Sequence, residues 1–321
     1  MPRISKITPY TLKFKFQAGT SRGIYTEHLV KYIEISDENN PAHIGIGEYA
    51  PLPDLSPDTA SAMLFAHETA LWHYDRQTLK LSDTPFARGE TGIPINGLIW
   101  MGDYATMQKR IEEKIAAGFR CLKLKIGAIH FDDEIALLKQ IRNRYPREVI
   151  ELRVDANGAF TPSDAMHKLD ALAKLNLHSI EQPIRAGQWE AMANLCRNTP
   201  LPITLDEELI PTSFESYTTD YKAQLLDTIR PQYIVLKPSL HGALSGCDEW
   251  IRLATERHTQ WWATSALESN IGLNAIAQFT ADVYGDNITM AQGLGTGQLF
   301  TDNIDMPLEI RDNALWISKN S

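Results

Sequence analysis

The sequence predicts an α/β protein. It is a (β/α)8-type barrel with an α+β capping domain, built from the N-terminal segment and the C-terminal tail. Three observations carry that expectation. Eight short apolar runs recur from about residue 93, spaced like repeated β-α units. The first ninety residues or so instead alternate like antiparallel strands and then turn helical. Six of the later runs end in, or lead into, a charged residue at intervals of 30, 26, 25, 31 and 31 positions.

The elements follow in order. ITPYTLKFKF (7–16), HLVKYIEIS (28–36) and HIGIGEYAP (43–51) read as three strands separated by turn signals. SPDTASAMLFAHETALWHY (56–74) reads as helix, with Ser56 as N-cap and Pro57 at the first helical position. The loop over 18–28 carries Gly19, Ser21, Arg22, Gly23 and Tyr25. Its composition suits a mobile lid as well as an ordinary hairpin loop. The barrel runs are 93–99, 121–126, 149–155, 178–183, 202–208, 232–238, 260–266 and 288–295. FDDEIALLKQIRNRY (131–145) and TPSDAMHKLDALAKL (161–175) have apolar residues at helical spacing. The tail, MPLEIRDNALWI (306–317), is strand-like again and is expected to return to the first domain. The expected division is therefore 1–92 with 304–321 as cap and 93–303 as barrel. A doubly wound open sheet is the competing architecture.

Composition narrows the function classes. The chain has 321 residues, 43% apolar and 22% charged, with a formal net charge of −9. No basic tract is present, which argues against nucleic acid or an anionic membrane surface as partner. No segment has the roughly 18 consecutive apolar residues of a membrane span. The first sixteen residues alternate and offer no apolar signal-peptide core. Cys121, Cys196 and Cys247 are odd in number and widely spaced, which fits a reducing cytoplasm and no disulfide framework. The expected partner is a small-molecule carboxylate; composition sets no oligomeric state.

The chemistry lies at the strand ends. Lys125, Asp155, Glu181, Asp206 and Lys237 close the second to sixth runs, and Glu268 follows the seventh. In a barrel, C-terminal strand ends converge on one face, where active sites sit. Asp155, Glu181 and Asp206 brought together repel one another and call for a cation. All-oxygen ligation favours Mg²⁺, with Mn²⁺ as the second choice, over Zn²⁺. LKLKIG (122–127) places Lys123 and Lys125 on one strand face. A desolvated lysine near other cations has a lowered pKa and can serve as a base. On that logic Lys123 depresses the pKa of Lys125, and Lys237 flanks the metal from the other side. The competing reading is a pair of snorkelling surface lysines. Such a set suits proton abstraction α to a carboxylate.

The ordered set Lys-x-Lys, VDANGAF, EQP, LDE, LKP and ALES resembles the enolase superfamily, in its muconate-lactonizing subgroup. GIGEYAPLP (45–53) is similar to that family's capping segment, so the resemblance covers nearly the whole chain. It implies that Asp155, Glu181 and Asp206 are Mg²⁺ ligands and that Lys125 and Lys237 are the acid/base lysines. Asn157 and Glu207 would support the site. Glu208 departs from the pattern, which often has a small residue there. TSALESNIGLNAIAQF (264–279) and QGLGTGQLFTDNI (292–304) most resemble the o-succinylbenzoate synthases. That likeness implies a dehydratase acting on 2-succinyl-6-hydroxy-2,4-cyclohexadiene-1-carboxylate in menaquinone biosynthesis. Lys125 would take the α-proton and help the hydroxide leave, while Lys237 stabilises the enediolate. Ser265, Glu268, Gly295, Thr296 and Gly297 would contact substrate, with Arg22 reaching in from the 18–28 loop. Trp100 and Met101 suit either pocket lining or packing, and Trp261 and Trp262 suit the core. The nearest rival is a dipeptide epimerase or N-succinylamino acid racemase, using Lys125 and Lys237 as two bases. Muconate-type cycloisomerisation is weaker, and a non-catalytic metal-stabilised scaffold is the rival of a different class.

Overall fold

The structure is a computed structural model that describes residues 2–20, 23–56 and 59–318. The N-terminal strands are longer than their sequence runs: β1 (Arg3–Thr20), β2 (Gly23–Asp37) and β3 (Asn40–Tyr49) form an antiparallel sheet in that order. Pairing of β1 with β2 continues to Thr20 opposite Gly23. Of the two readings of 18–28, the structure matches a hairpin, with 18–20 and 23–28 in strand, because each added residue pair gains ladder hydrogen bonds. Ser21 and Arg22 lie outside the described residues.

Helix α1 (Ala60–Arg76) starts after Thr59, later than the Ser56 expected from sequence. The Ser56 N–H donates to Leu52 O instead, closing a turn, and Pro57 lies outside the described residues. The GIG of β3 now has a reason. A Cβ at Gly45 would sit 2.0 Å from Ala70 O, and one at Gly47 1.9 Å from Ala66 O. Only glycine lets α1 lie this close on the sheet.

The second layer is a closed parallel barrel. β5 (Gly97–Ile99), β6 (Cys121–Lys125), β7 (Glu151–Asp155), β8 (Ser179–Glu181), β9 (Ile203–Leu205), β10 (Tyr233–Leu236) and β11 (Gln260–Ala263) pair in sequence order. The expected eighth strand is reduced to two bridges, Gln292 with Ile95 and Gly293 with Thr264. These join the end of β11 to the chain just before β5 and close the ring. Closure is tight: a Cβ on Gly293 would stand 2.1 Å from Thr264 Oγ1. Helices α2 (Tyr104–Ala116), α3 (Phe131–Arg144), α4 (Pro162–Ala173), α5 (Trp189–Asn198), α6 (Thr219–Ile229), α7 (Ala243–Glu256) and α8 (Asn270–Tyr284) follow β5 to β11. Sequence caps start several of them: Asp103 accepts from Thr106 N, and Thr161 with Asp164 forms a capping box before Pro162.

β6 shows how the barrel uses its periodicity. All five of its residues are buried. Leu122, Leu124 and the following Ile126 belong to the main core, each worth about 1.5–3 kcal/mol of burial. Lys123 and Lys125 point the other way, toward the interior at the C-terminal mouth.

The tail does not join the N-terminal sheet. β12 (Leu308–Arg311) and β13 (Ala314–Ile317) pair with β4 (Ile93–Pro94), at the entry to the barrel. Leu315 and Ile317 enter the barrel core, and this burial holds the hairpin there. The segment before it touches the cap: Phe300 bridges Phe14, and Asp302 Oδ1 accepts from Lys13 N at 2.8 Å.

Cap and barrel are also joined through Glu48 on β3. Its fully buried carboxylate accepts from Ser269 N at 2.7 Å, Ser269 Oγ at 2.6 Å and Gly272 N at 2.8 Å, at the N-terminus of α8. Burial pushes its pKa up to about 7 despite these donors. The folded protein then holds this proton above the unfolded value near 4.5. The stabilisation it contributes is complete below that value and is lost as pH rises through about 7. The expected size is on the order of 3 kcal/mol. Thermal unfolding between pH 4.5 and 7.5 should show the wild type losing stability relative to Glu48→Gln as pH rises; parallel curves would refute the assignment.

Candidate active site

The charged strand ends converge. Asp155 pairs in register with Lys125 on one side and Glu181 on the other. Asp206 follows β9, and Lys237 follows β10. The three carboxylates are at most 2% exposed, and the lysines at most 9%. Lys123 Nζ lies 2.6 and 2.7 Å from the two oxygens of Glu181 and 2.9 Å from Asp155 Oδ2. Lys125 Nζ donates to Asp155 Oδ2 at 2.6 Å and to Asn157 Oδ1 at 2.8 Å. Lys237 pairs with Asp206 across the mouth.

These contacts set the charge on Lys123 and Lys237. Burial alone lowers the pKa of Lys123, but Asp155, Glu181 and Asp206 outweigh it and hold the ammonium above its usual range. Lys237 is raised in the same way, burial being overcome by Asp206, Glu207 and Glu181. Anions within 3 Å decide the sign, where the strand pattern alone suggested cation beside cation. Among the carboxylates, burial is again the largest influence. It and the nearby Asp155 drive Glu181 well up, while Lys123 and Lys125 pull Asp155 well below the usual range.

Among the described residues, no three acid, histidine or cysteine side chains stand in ready metal-ligating geometry. Lysine ammonium groups share the space with the carboxylates. The donor set nevertheless fits a hard divalent cation. Three buried carboxylates meet at adjacent strand ends, and Asp206 Oδ1 is buried with no hydrogen-bond partner.

The backbone around the site is held in unusual conformations. Asn157, Gln182 and Leu267 have φ of 46°, 39° and 73°. Such left-handed residues persist only where surroundings enforce them. Gln182 Oε1 accepts from Asp206 N at 3.1 Å and Glu208 N at 3.3 Å, which aims the acidic triplet. Asp206 faces the cluster. Glu207 Oε1 accepts from Asn157 Nδ2 at 3.0 Å, and Glu208 turns away to Gly187 N at 2.7 Å. Leu267 O is 2.9 Å from a ring nitrogen of His28 in the cap. Sequence reasoning missed Gln182 and His241. His241 is fully buried, its Nδ1 accepts from Lys237 N at 3.0 Å, and its Nε2 faces Asp206 Oδ1 at 4.0 Å. Burial pushes its pKa down to about 3, so the imidazole is neutral. The only signal for it was its place four residues after Lys237.

A cavity of about 530 Å³ opens over the cluster. Lys123, Lys125, Lys237, Asn157 and Glu207 form its floor, and Phe16 and Tyr25 from the cap hairpin line it as well. Ser265, Gly295, Thr296 and Trp100 also line it. Two of the expected substrate contacts are turned elsewhere. Glu268 is fully buried, with its carboxylate taken by the Ser239 and Ser265 hydroxyls and by Ala266 N. It positions the 265–268 turn because its neighbours supply donors that solvent would otherwise supply. Gly297 packs on Asn270, where a Cβ would come within 2.4 Å of Oδ1. The Ser265 hydroxyl is itself engaged by Glu268 and Leu267 N. Trp262 lies in the core, under Arg153 at 4.4 Å. Arg22 lies outside the described residues.

Comparison with known proteins agrees with this geometry. Residues 106–320 match the enolase C-terminal domain-like family. The chain is 54% identical over 260 residues to the o-succinylbenzoate synthase of Desulfotalea psychrophila, covering 80% of this chain and 68% of that protein. The crystal structure of MenC from Desulfotalea psychrophila superposes with a TM-score of 0.84 at 39% identity, covering 97% of this chain and 99% of that one. The L-Ala-D/L-Glu epimerase of Bacillus subtilis shares the fold, with a TM-score of 0.82 at 17% identity over 98% of this chain and 95% of that one. The chain belongs to the enolase superfamily and, within it, to the family of the o-succinylbenzoate synthases.

Proposed function

We propose that this chain is a Mg²⁺-dependent carbon–oxygen lyase that dehydrates 2-succinyl-6-hydroxy-2,4-cyclohexadiene-1-carboxylate to o-succinylbenzoate, the step expected in menaquinone biosynthesis. The observation that carries this reading is the 54% identity to an o-succinylbenzoate synthase, together with lysines on the floor of a single cavity.

A divalent cation, Mg²⁺ or Mn²⁺, held by Asp155, Glu181 and Asp206 would supply positive charge beside the carboxylate whose α-carbon is deprotonated. Lys125, as the free amine, takes the α-proton, and the C–H electrons delocalise into the substrate carboxylate. The same lysine then returns its proton to the departing hydroxyl. The C–O bond breaks, water leaves, and the ring becomes aromatic. Lys237, on the far side of the cluster, stays an ammonium and stabilises the negative charge that develops. Lys123 balances Glu181 and Asp155. Asn157 holds Lys125 on one side and Glu207 on the other, which fixes the base against the cavity floor. Three buried free thiols support a reducing, cytoplasmic setting.

The direct test follows aromatic absorbance as the cyclohexadiene substrate is consumed. A dipeptide epimerase needs a counter-ion for the substrate ammonium, and an unpaired buried charge costs several kcal/mol. The wall at 291–299, AQGLGTGQL, has no acid. L-Ala-Glu-type dipeptides should therefore be poor substrates, and a higher kcat/KM for their epimerisation would overturn the assignment. N-succinylamino acids keep the succinyl carboxylate and remain candidate secondary substrates. Gly295→Asp should damage synthase activity by charge and not by strain. Its φ is −91°, and the nearest atom to an added Cβ is Ile95 Cδ1 at 3.4 Å.

A further inference from the structure

His241 and Asp206 each bury a polar atom that has no hydrogen-bond partner among the described residues, and the two atoms face each other. Nε2 of His241 lies 4.0 Å from Oδ1 of Asp206, and both residues are fully buried. That separation is longer than a hydrogen bond, which spans roughly 2.7–3.2 Å for N–H···O. The chain around Lys237 builds the arrangement. Lys237 O accepts from Leu240 N at 2.8 Å and from His241 N at 2.9 Å, so LKPSLH winds back on itself. The ring at position 241 thereby returns to Lys237 N, which donates to Nδ1 at 3.0 Å. Helix α7 closes on this turn: a Cβ on Gly246 would stand 2.7 Å from His241 O, and glycine permits the approach.

The Nδ1 contact fixes where the ring carries its proton. A nitrogen that accepts an N–H must present a lone pair, so Nδ1 is bare and the neutral ring is protonated on Nε2. Nε2–H can only donate. It cannot ligate a cation, although it sits beside a carboxylate of the acidic set. The Asp206 oxygen that it faces is an acceptor with two lone-pair sites, so it has room for a donor and a cation together. The other oxygen, Oδ2, pairs with Lys237.

We propose that His241 is a positioning residue that orients Asp206 for the cation: Nε2–H donates to Oδ1 when the cation is bound, while Nδ1 anchors the backbone of Lys237. The inference rests on the Mg²⁺ part of the proposed function. One imidazole thus aims a metal ligand and fixes the backbone of the lysine paired with that ligand. Partners of this kind, outside the ligands themselves, tune how tightly a site holds its metal.

Two replacements separate the two ring contacts. Gln can place its amide nitrogen where Nε2 lies, and Asn its amide oxygen where Nδ1 lies. His241→Gln therefore keeps the donor toward Asp206 and loses the acceptor for Lys237 N, and His241→Asn does the reverse. Calorimetric titration of Mg²⁺ into the metal-free protein should show affinity lowered about 10–100-fold in His241→Asn and far less in His241→Gln. Nitrogen NMR of the wild type should find His241 protonated on Nε2 and bare on Nδ1. Its Nε2 proton should move downfield as Mg²⁺ is added and the contact to Oδ1 shortens. This measurement stands even where a variant fails to fold. A proton on Nδ1, an Nε2 proton indifferent to Mg²⁺, or equal Mg²⁺ affinity in the two variants overturns the proposal. A wild type that binds no Mg²⁺ overturns the metal assignment with it. The expected NMR and affinity pattern in a protein that makes no aromatic product upholds the role of His241 and overturns the synthase reading alone.

Discussion

Lys125→Ala loses turnover by about 10²–10⁴-fold or more and keeps its fold, as expected for removal of a general base. The structure explains why the loss is catalytic and not structural. Asp155 would still have Lys123 at 2.9 Å, so no buried carboxylate is left without a cation. Asn157 would retain Glu207. Lys123→Ala is the informative contrast. It strips Glu181 of both its short contacts to an ammonium and takes one cation from Asp155. Removing one partner of a buried ion pair typically costs about 3–5 kcal/mol. The Lys123 variant should therefore lose thermal stability far more than the Lys125 variant. Circular dichroism and product absorbance, measured on both, separate the roles. Near-normal turnover in Lys125→Ala would move the base elsewhere. Exchange of the substrate α-proton with solvent deuterium gives a second readout of the same step.

Removal of the cation is the other large effect. Excess EDTA should abolish turnover, and added Mg²⁺ or Mn²⁺ should restore it. Glu181→Gln should stay folded, because Lys123 keeps Asp155 as partner. Its affinity for Mg²⁺, read by calorimetry without reference to turnover, should fall by at least about 100-fold. Disturbing an outer-shell partner already costs about 10–100-fold, and here a ligand is lost outright. The orphaned Oδ1 of Asp206 predicts the same sensitivity for Asp206→Asn. Full activity in excess chelator would sink the metal assignment.

Much of the fold was legible because its signals are local. The apolar spacing over 131–145 and 161–175 is carried within the helices it predicts, α3 and α4. Strand alternation put Lys123 and Lys125 on one face from sequence alone. Elements went astray where distant contacts decided them. The first hairpin runs on to Thr20 and Gly23 because pairing with a partner strand, absent from any local window, extends it. The eighth strand is reduced to bridges at Gln292 and Gly293, where Gly293 lets the chain lie against Thr264. The tail hairpin seats at β4 because Leu315 and Ile317 find burial in the barrel core.

The sequence by itself determined the barrel period and the order of the charged strand ends. It also determined the all-oxygen character of the acidic set, since residue identity and spacing are written in the chain. Only the tertiary structure decided the sign of the lysine shifts. Coulombic influence depends on separations near 3 Å, and the carboxylates that raise Lys123 come from three other strands. It also decided which polar groups are spent and which are available. Glu268, a strand-end acid like the others in sequence, is consumed by Ser239, Ser265 and Ala266 N. Asn96 and Trp100 were unremarked or ambiguous in sequence, yet the closed barrel buries their side-chain donors without a protein partner. Hydrogen-bond satisfaction is a property of neighbours in space, and a single sequence does not record those neighbours.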